Sequence, residues 1–155
     1  MKDTKAVKMI AVNKKARFNY EVLDDFEAGM VLVGTEVKSL REGRVNLTDA
    51  YGTIKKGEVF VYNLHISPYS FAYYDNHDPL RPRKLLLHKQ QIKRLIGKTQ
   101  EKGLSLVPLS LYFKNGKVKM KLALARGKKR HDKRQDIKER DAKRALNRAN
   151  KNRDY

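Results

Sequence analysis

The side chains with most chemistry to offer in this sequence are basic groups set among aromatic rings. Lys14, Lys15 and Arg17 run into Phe18 and Tyr20, and Tyr69, Phe71, Tyr73 and Tyr74 lead into Arg81, Arg83 and Lys84. Lysine and arginine neutralise phosphates and an aromatic face stacks on an unpaired base, so the interleaving points to RNA. The alternative for the rings is ordinary packing. Phe18 and Tyr20, at i and i+2, would share one face of a strand, inner or outer. Other chemistries have less support. His65, His77, His88 and His131 are scattered without metal-ligand spacing. Gly29 and Gly34 have the spacing of a phosphate-binding loop, but Thr35-Glu36 stands where Lys-Ser/Thr is needed, so the cradle lacks its charge. Glu21, Asp24, Asp25 and Glu27 could work as acid/base or metal ligands, yet such clusters more often balance neighbouring lysines. Neither an enzyme nor a metal or other cofactor is expected.

Composition supports a polyanionic partner. The 155 residues carry 36 Lys/Arg against 17 Asp/Glu, a formal net charge of +19. That excess costs self-repulsion, and nucleic acid is its commonest reason. A membrane surface is the lesser alternative, since no amphipathic helix with large apolar residues accompanies the charge. The chain has no cysteine, which excludes disulfides, thiolate nucleophiles and cysteine-ligated zinc. The N-terminus has no apolar run fit for a signal peptide, and no stretch approaches a membrane span, so a cytoplasmic protein is expected.

The elements that must position these groups are mostly strands. "FNYEVL" reads as a strand; "AGMVLVGTEVKSL" fits strand plus turn or one or two helical turns. "AYGTIKKGEVFVYNLHISPY" divides into two strands at Lys56-Gly57. Leu85 to Leu87 suit a buried strand, and Ile92, Leu95 and Ile96 repeat at i, i+3, i+4 in a helix that Gly103 can stop. Asn115-Gly116, between alternating runs, is the signal of a type I′ hairpin. Its second strand alternates Val118, Met120, Leu122 and Leu124 with Lys119, Lys121, Ala123 and Ala125, one face core and the other presenting lysines. Five to seven short antiparallel strands with one strong helix suggest a mainly β protein, a small closed OB-like barrel with peripheral helices.

At Arg126-Gly127 the composition changes. Residues 126–155 carry 13 Lys/Arg against 5 Asp/Glu, and beyond Lys128 only Ile137, Leu146 and Tyr155 are apolar and larger than alanine. The expected division is a barrel over 1–127 and a basic tail over 128–155, flexible or weakly helical when free. Asp136–Arg140 and Glu139–Lys143 are i, i+4 pairs worth about 0.2–0.5 kcal/mol each. Ala142, Ala145, Leu146 and Ala149 form a thin apolar stripe that a binding partner could complete.

Read in order, "NKKARFNYEV", "FEAGMVLVGTEVKSLREGRVNLTDAY", "NLHISPY", "DPLRPRKLLLHKQQIKRL" and "SLVPLSLYFKNGKVKMKLALARGKKRHDKRQDIKER" resemble the SsrA-binding protein family, small protein B, over residues 8–141. The resemblance implies an OB-like barrel with a flexible basic tail that becomes helical on the ribosome. It implies binding of transfer-messenger RNA through the tRNA-like domain and its delivery to stalled ribosomes for trans-translation. Alanyl-tRNA synthetase and elongation factor Tu are implied as indirect partners, and the protein as a monomer. It carries RNA contacts onto Glu27, Leu86 and Lys119, and favours Lys14, Lys15, Arg17, Phe18 and Lys84. Phe18-Asn19 stands where many members have histidine followed by an acid, so Phe18 would stack instead. The tail is implied to enter the vacant mRNA channel and probe the small-subunit decoding centre. Lys128, Lys129, Lys133 and Arg134 would meet rRNA phosphates there, with His131 stacking on a base beside Asp132. Competing readings are a structural ribosomal protein, a generic RNA-binding barrel, or a nuclease, the last without a catalytic cluster.

Overall fold

The two-residue turn at Asn115-Gly116 organises the sheet. Both residues have positive φ, 52° and 74°, as a type I′ turn demands. They join two eleven-residue strands, Leu104–Lys114 and Lys117–Gly127, which pair antiparallel along their length. The computed structural model describes residues 6–72, 74–101 and 103–152. Its elements in chain order are β1 (Val7–Val12), α1 (Lys14–Asn19), β2 (Tyr20–Met30), α2 (Gly34–Arg41), β3 (Val45–Asn46), β4 (Tyr51–Lys55) and β5 (Glu58–Tyr62). There follow β6 (His65–Ile66), β7 (Arg83–Leu86), α3 (Lys89–Thr99), β8 (Leu104–Lys114), β9 (Lys117–Gly127) and α4 (Arg130–Lys151).

Seven strands form one antiparallel sheet in the order β1-β8-β4-β5-β7-β2-β9, and β8 pairs again with β9. Six of them therefore make a ring, with β1 attached outside it to the C-terminal half of β8. The ring closes through a single register pair between β4 and β8, Gly52 with Leu106. A Cβ on Gly52 would lie 2.8 Å from the Leu106 Cβ, so only glycine lets these strands meet. Pro108, which has no N–H for the ladder, sits beside a register shift in β8. The small pair β3–β6 lies outside the ring sheet.

Alternation places Phe26, Ala28, Val59, Val61, Leu85, Leu111, Met120 and Leu122 in the core. Leu40 of α2 and Leu95 of α3 belong to the same cluster. A second, smaller core lies on the opposite face of the β8–β9 hairpin: Ala16 of α1 packs there against Val107, Leu109, Ala123 and Ala125. The alternation rule reads Ala123 and Ala125 as part of a lysine-bearing face, but the hairpin is apolar on both sides where α1 covers it. Residues 18 and 19 also differ from the strand expected of "FNYEVL". Phe18 is in α1, begun by the Asn13 side chain accepting from the Ala16 N–H at 3.2 Å, and the strand starts only at Tyr20. Phe18 and Tyr20 therefore do not share a strand face. The ambiguous "AGMVLVGTEVKSL" holds both elements, the end of β2 and then α2.

Among the described residues no helix is long and apolar enough to cross a membrane. α4 has no buried residue.

Candidate nucleic-acid interface

Three residues far apart in sequence, Glu27, Leu86 and Lys119, meet on the outer face of β7, β2 and β9. Gly29 pairs with Leu86 on one side and Lys119 on the other, and Lys119 in turn pairs with Tyr112 of β8. The result is a row Leu86–Gly29–Lys119–Tyr112 across four strands, with Glu27 two residues from Gly29 on the same strand face. Gly29 is its floor. A Cβ there would lie 3.3 Å from the Leu86 Cβ and 3.6 Å from the Lys119 Nζ, so both neighbouring side chains occupy the space over the glycine. Leu86 is 50% exposed, although its place in "KLLLH" reads as core; Leu85, one residue earlier, takes the inward position. Tyr112 was not singled out from sequence, and Gly29 only as half of a phosphate-loop spacing that lacks its lysine. The available signal was a glycine inside a strand pattern, which often marks a close approach.

Glu27 is held in place and held ionised. Tyr112 Oη donates to its Oε2 at 2.6 Å, and Lys114 Nζ donates to both oxygens at 3.1 Å. The Tyr112 hydrogen bond, with help from Lys114 and Lys119, keeps the carboxyl below the usual range despite partial desolvation. Burial and the Glu27 contact push the Tyr112 phenol up, so it remains a donor. Two other carboxylates of the cluster also meet cations: Asp24 faces Arg94 at 3.3 Å and Asp25 faces Lys121 at 3.6 Å.

Lys84 points outward beside Leu86 and bonds Glu58 at 2.9 Å. Arg83, grouped with it by sequence, is no phosphate ligand. It is fully buried and bonds Glu36 and the Leu64 carbonyl, and reaches the Asp78 and Pro79 carbonyls at 3.3 and 3.1 Å. Arg81 completes the cluster on Glu36 at 2.6 Å. Burial pushes the Glu36 carboxyl up, but the Val33 N–H and the two guanidinium groups outweigh it and keep Glu36 ionised. This network ties α2 to the segment before β7. Of the second aromatic group, Phe71 and Tyr74 are strongly exposed, Tyr69 lies edge-on to Phe71, and Tyr73 falls outside the described residues.

Lys14, Lys15, Arg17 and Phe18 all belong to α1. Arg17 lines a cleft that reaches Glu27 and Tyr112, which joins the helix to the row on the strands. Phe18 is covered by Arg140 of α4, whose guanidinium carbon is 5.6 Å from the ring centroid. At the root of the tail, the Lys128 N–H donates to the Asn19 carbonyl at 2.8 Å, and its ammonium bonds the Arg17 carbonyl and Asp136. Asp136 and Arg140 are thus engaged with Lys128 and Phe18. Lys129 caps α4, and His131, Asp132 and Arg134 are exposed in its first turns with Lys133 half-buried.

Comparison with known proteins gives the chain a family. A family model described as SmpB protein matches residues 10–152. The chain is 61% identical over 146 residues to the SsrA-binding protein of Syntrophobacter fumaroxidans, covering 94% of this chain and 91% of that one. It is 57% identical over 149 residues to the SsrA-binding protein of Thermosynechococcus vestitus, covering 96% and 98%. A solved structure described as "tmRNA-SmpB: a journey to the center of the bacterial ribosome" superposes with a TM-score of 0.66 at 48% identity, covering 82% of this chain and 93% of that one.

Proposed function

The chain belongs to the SmpB protein family of SsrA-binding proteins, and from that premise we propose how its parts divide the work. It binds transfer-messenger RNA and acts with it on the ribosome in trans-translation. The ring of six strands supports reading residues 1–127 as a closed OB-like barrel, whose outer face is the RNA-binding side.

The observation that carries this is the convergence of Glu27, Leu86 and Lys119 around Gly29. Lys119, with Lys84 and the α1 residues Lys14, Lys15 and Arg17, supplies cations for the phosphates of the tRNA-like domain. Leu86 over the glycine floor offers a low apolar ridge that fits a sugar or base face. Glu27, ionised and oriented by Tyr112, accepts from a base amino group or a ribose 2′-hydroxyl. Phe18 is available to a base once Arg140 leaves it.

The tail over 128–155 is the ribosomal arm. A 22-residue helix with no buried side chain spans about 33 Å and is charged over most of its surface, with the thin stripe of Ala142, Ala145, Leu146 and Ala149 along one side. Such a rod suits the vacant mRNA channel, with Lys129, His131, Asp132, Lys133 and Arg134 toward the decoding centre and Lys128 at the hinge. Alanyl-tRNA synthetase and elongation factor Tu would act on the same particle through the RNA, and a ribosomal partner makes the cytoplasm its place of work.

Gel-shift titration at stated salt tests the RNA assignment: the tRNA-like domain should bind more tightly than ordinary tRNA, and equal affinity would overturn it. Truncation after Gly127 should leave that affinity within a few-fold and abolish tagging on stalled ribosomes. Full tagging by the truncated protein would remove the tail's role.

A further inference from the structure

The row over Gly29 ends at Tyr112, and Met9 borders it there. Met9 of β1 is the register partner of Tyr112 of β8. Such partners stand side by side on one sheet face, with Cβ atoms roughly 4.5–5.5 Å apart. A register shift follows between Met9 and Ala11 and turns Val12 to the same side. Val7, Met9 and Val12 thus form the apolar wall of a cleft of about 500 Å³ whose lining also includes Arg17, Glu27 and Tyr112. The chain has no cysteine, so thioethers are its only oxidisable sulfur. Their settings differ sharply: Met9 is 55% exposed, Met30 is partly buried and Met120 is fully buried.

We propose that Met9 is a reversible oxidation site, converted by hydrogen peroxide to the sulfoxide, and that its conversion weakens binding of the tRNA-like domain. The effect on RNA rests on the assignment of this face to that domain; the selectivity for Met9 does not. The sulfur lone pair attacks one peroxide oxygen, the O–O bond breaks and an S–O bond forms. The other oxygen leaves as water with both hydrogens, so sulfur is oxidised and peroxide reduced. A methionine sulfoxide reductase reverses the step, releasing the oxygen as water while two of its own thiols become a disulfide.

The neighbours of Met9 give the change its consequence. A thioether is a weak acceptor and leaves nearby donors to their own partners. A sulfoxide oxygen is a strong acceptor, and the donor beside it is the Tyr112 hydroxyl, already bonded to Glu27 at 2.6 Å. A phenol has one O–H, so the new oxygen takes it at the expense of Glu27. Lys114, the partner of Val7, and Arg17 on the cleft are cations that the oxygen also attracts, away from an incoming phosphate. The core is spared, because Met9 lies on the outer face.

The test treats the full-length protein with dilute hydrogen peroxide and follows each methionine by peptide mass spectrometry. Met9 should be oxidised well before Met30 and Met120. Affinity for the tRNA-like domain should then fall about fivefold and return after treatment with the two sulfoxide reductases, one for each epimer. The Glu27 carboxyl midpoint, read by NMR, should rise on oxidation, a shift that damage elsewhere in the chain would not produce. Met9→Leu should keep its affinity through the same treatment within about twofold. Met9→Gln, which holds an amide oxygen near the same place, should show the loss without peroxide. Oxidation of Met120 or Met30 as fast as Met9, an unchanged affinity or Glu27 midpoint, or an equal loss in Met9→Leu would overturn the site. Untreated protein without preference for the tRNA-like domain over ordinary tRNA would count against the RNA assignment instead. The order of oxidation and the Glu27 midpoint would still decide the redox site.

Discussion

Glu27 shows how one carboxylate can be held ionised among cations on an outer sheet face. An isolated acid there would repel phosphate; tied to Tyr112 and Lys114 it becomes a directed acceptor whose charge is locally balanced. Because its pKa is lowered on folding, its contribution to stability is present above the ordinary carboxylate range and is lost as pH falls through the folded value. Tyr112→Phe removes the largest cause, so the Glu27 midpoint should rise toward its usual value, as a side-chain carboxyl NMR titration would read. Gly29 makes a second prediction at this scale. Gly29→Val should push Leu86 and Lys119 off the strand surface and weaken tRNA-like-domain binding by about tenfold, with thermal unfolding nearly unchanged because the site faces outward. An unaltered affinity would show that the glycine floor is not part of the interface. Glu36 works in the opposite way, through stability alone. Glu36→Ala leaves Arg83 buried without its partner and should cost about 3–5 kcal/mol in denaturant unfolding.

Among the elements, closure of the ring and docking of the tail each depend on a small set of contacts. β4 reaches β8 at one register pair, where Gly52 meets Leu106. Gly52→Val should force these strands apart and lower the unfolding midpoint, with the fastest gain of amide exchange in β4. The helix α4 is held near its root by Lys128 on Asp136 and by Arg140 on Phe18. The cation–π contact is worth about 0.5–1 kcal/mol at such an exposed place, too little to fix a 22-residue helix against a ribosomal partner. Phe18→Ala with Asp136→Asn should therefore raise amide exchange across α4 severalfold and leave β8 and β9 unchanged. Equal exchange in the double variant would mean that the helix is retained by its own propensity. Phe18 of α1 lies under this contact, so release of α4 and uncovering of the Phe18 ring are the same event.

Over the whole molecule, salt dependence tests the proposed division of charge between body and tail. If the body grips the tRNA-like domain and the tail serves the ribosome, truncation after Gly127 should leave the salt slope for the tRNA-like domain nearly intact. The slope for ribosome binding should become shallower. Much of this plan was legible without coordinates. The excess of 36 Lys/Arg over 17 Asp/Glu and the thin apolar content beyond Lys128 are properties of composition. The β8–β9 hairpin and the turn at Lys56-Gly57 follow from Asn115, Gly116 and Gly57, which tolerate positive φ, a local preference that needs no distant contact. The family motifs named Glu27, Leu86 and Lys119 as residues, with no account of where they lie relative to one another. The tertiary structure decided that. Alternation says which residues share a face of one strand, but which strands become neighbours depends on long-range pairing, and so does which face a covering helix hides. Hence Leu86 turned outward and Arg83 inward, Ala123 and Ala125 went under α1, and Gly29 became the floor between a leucine and a lysine 33 residues apart in the chain.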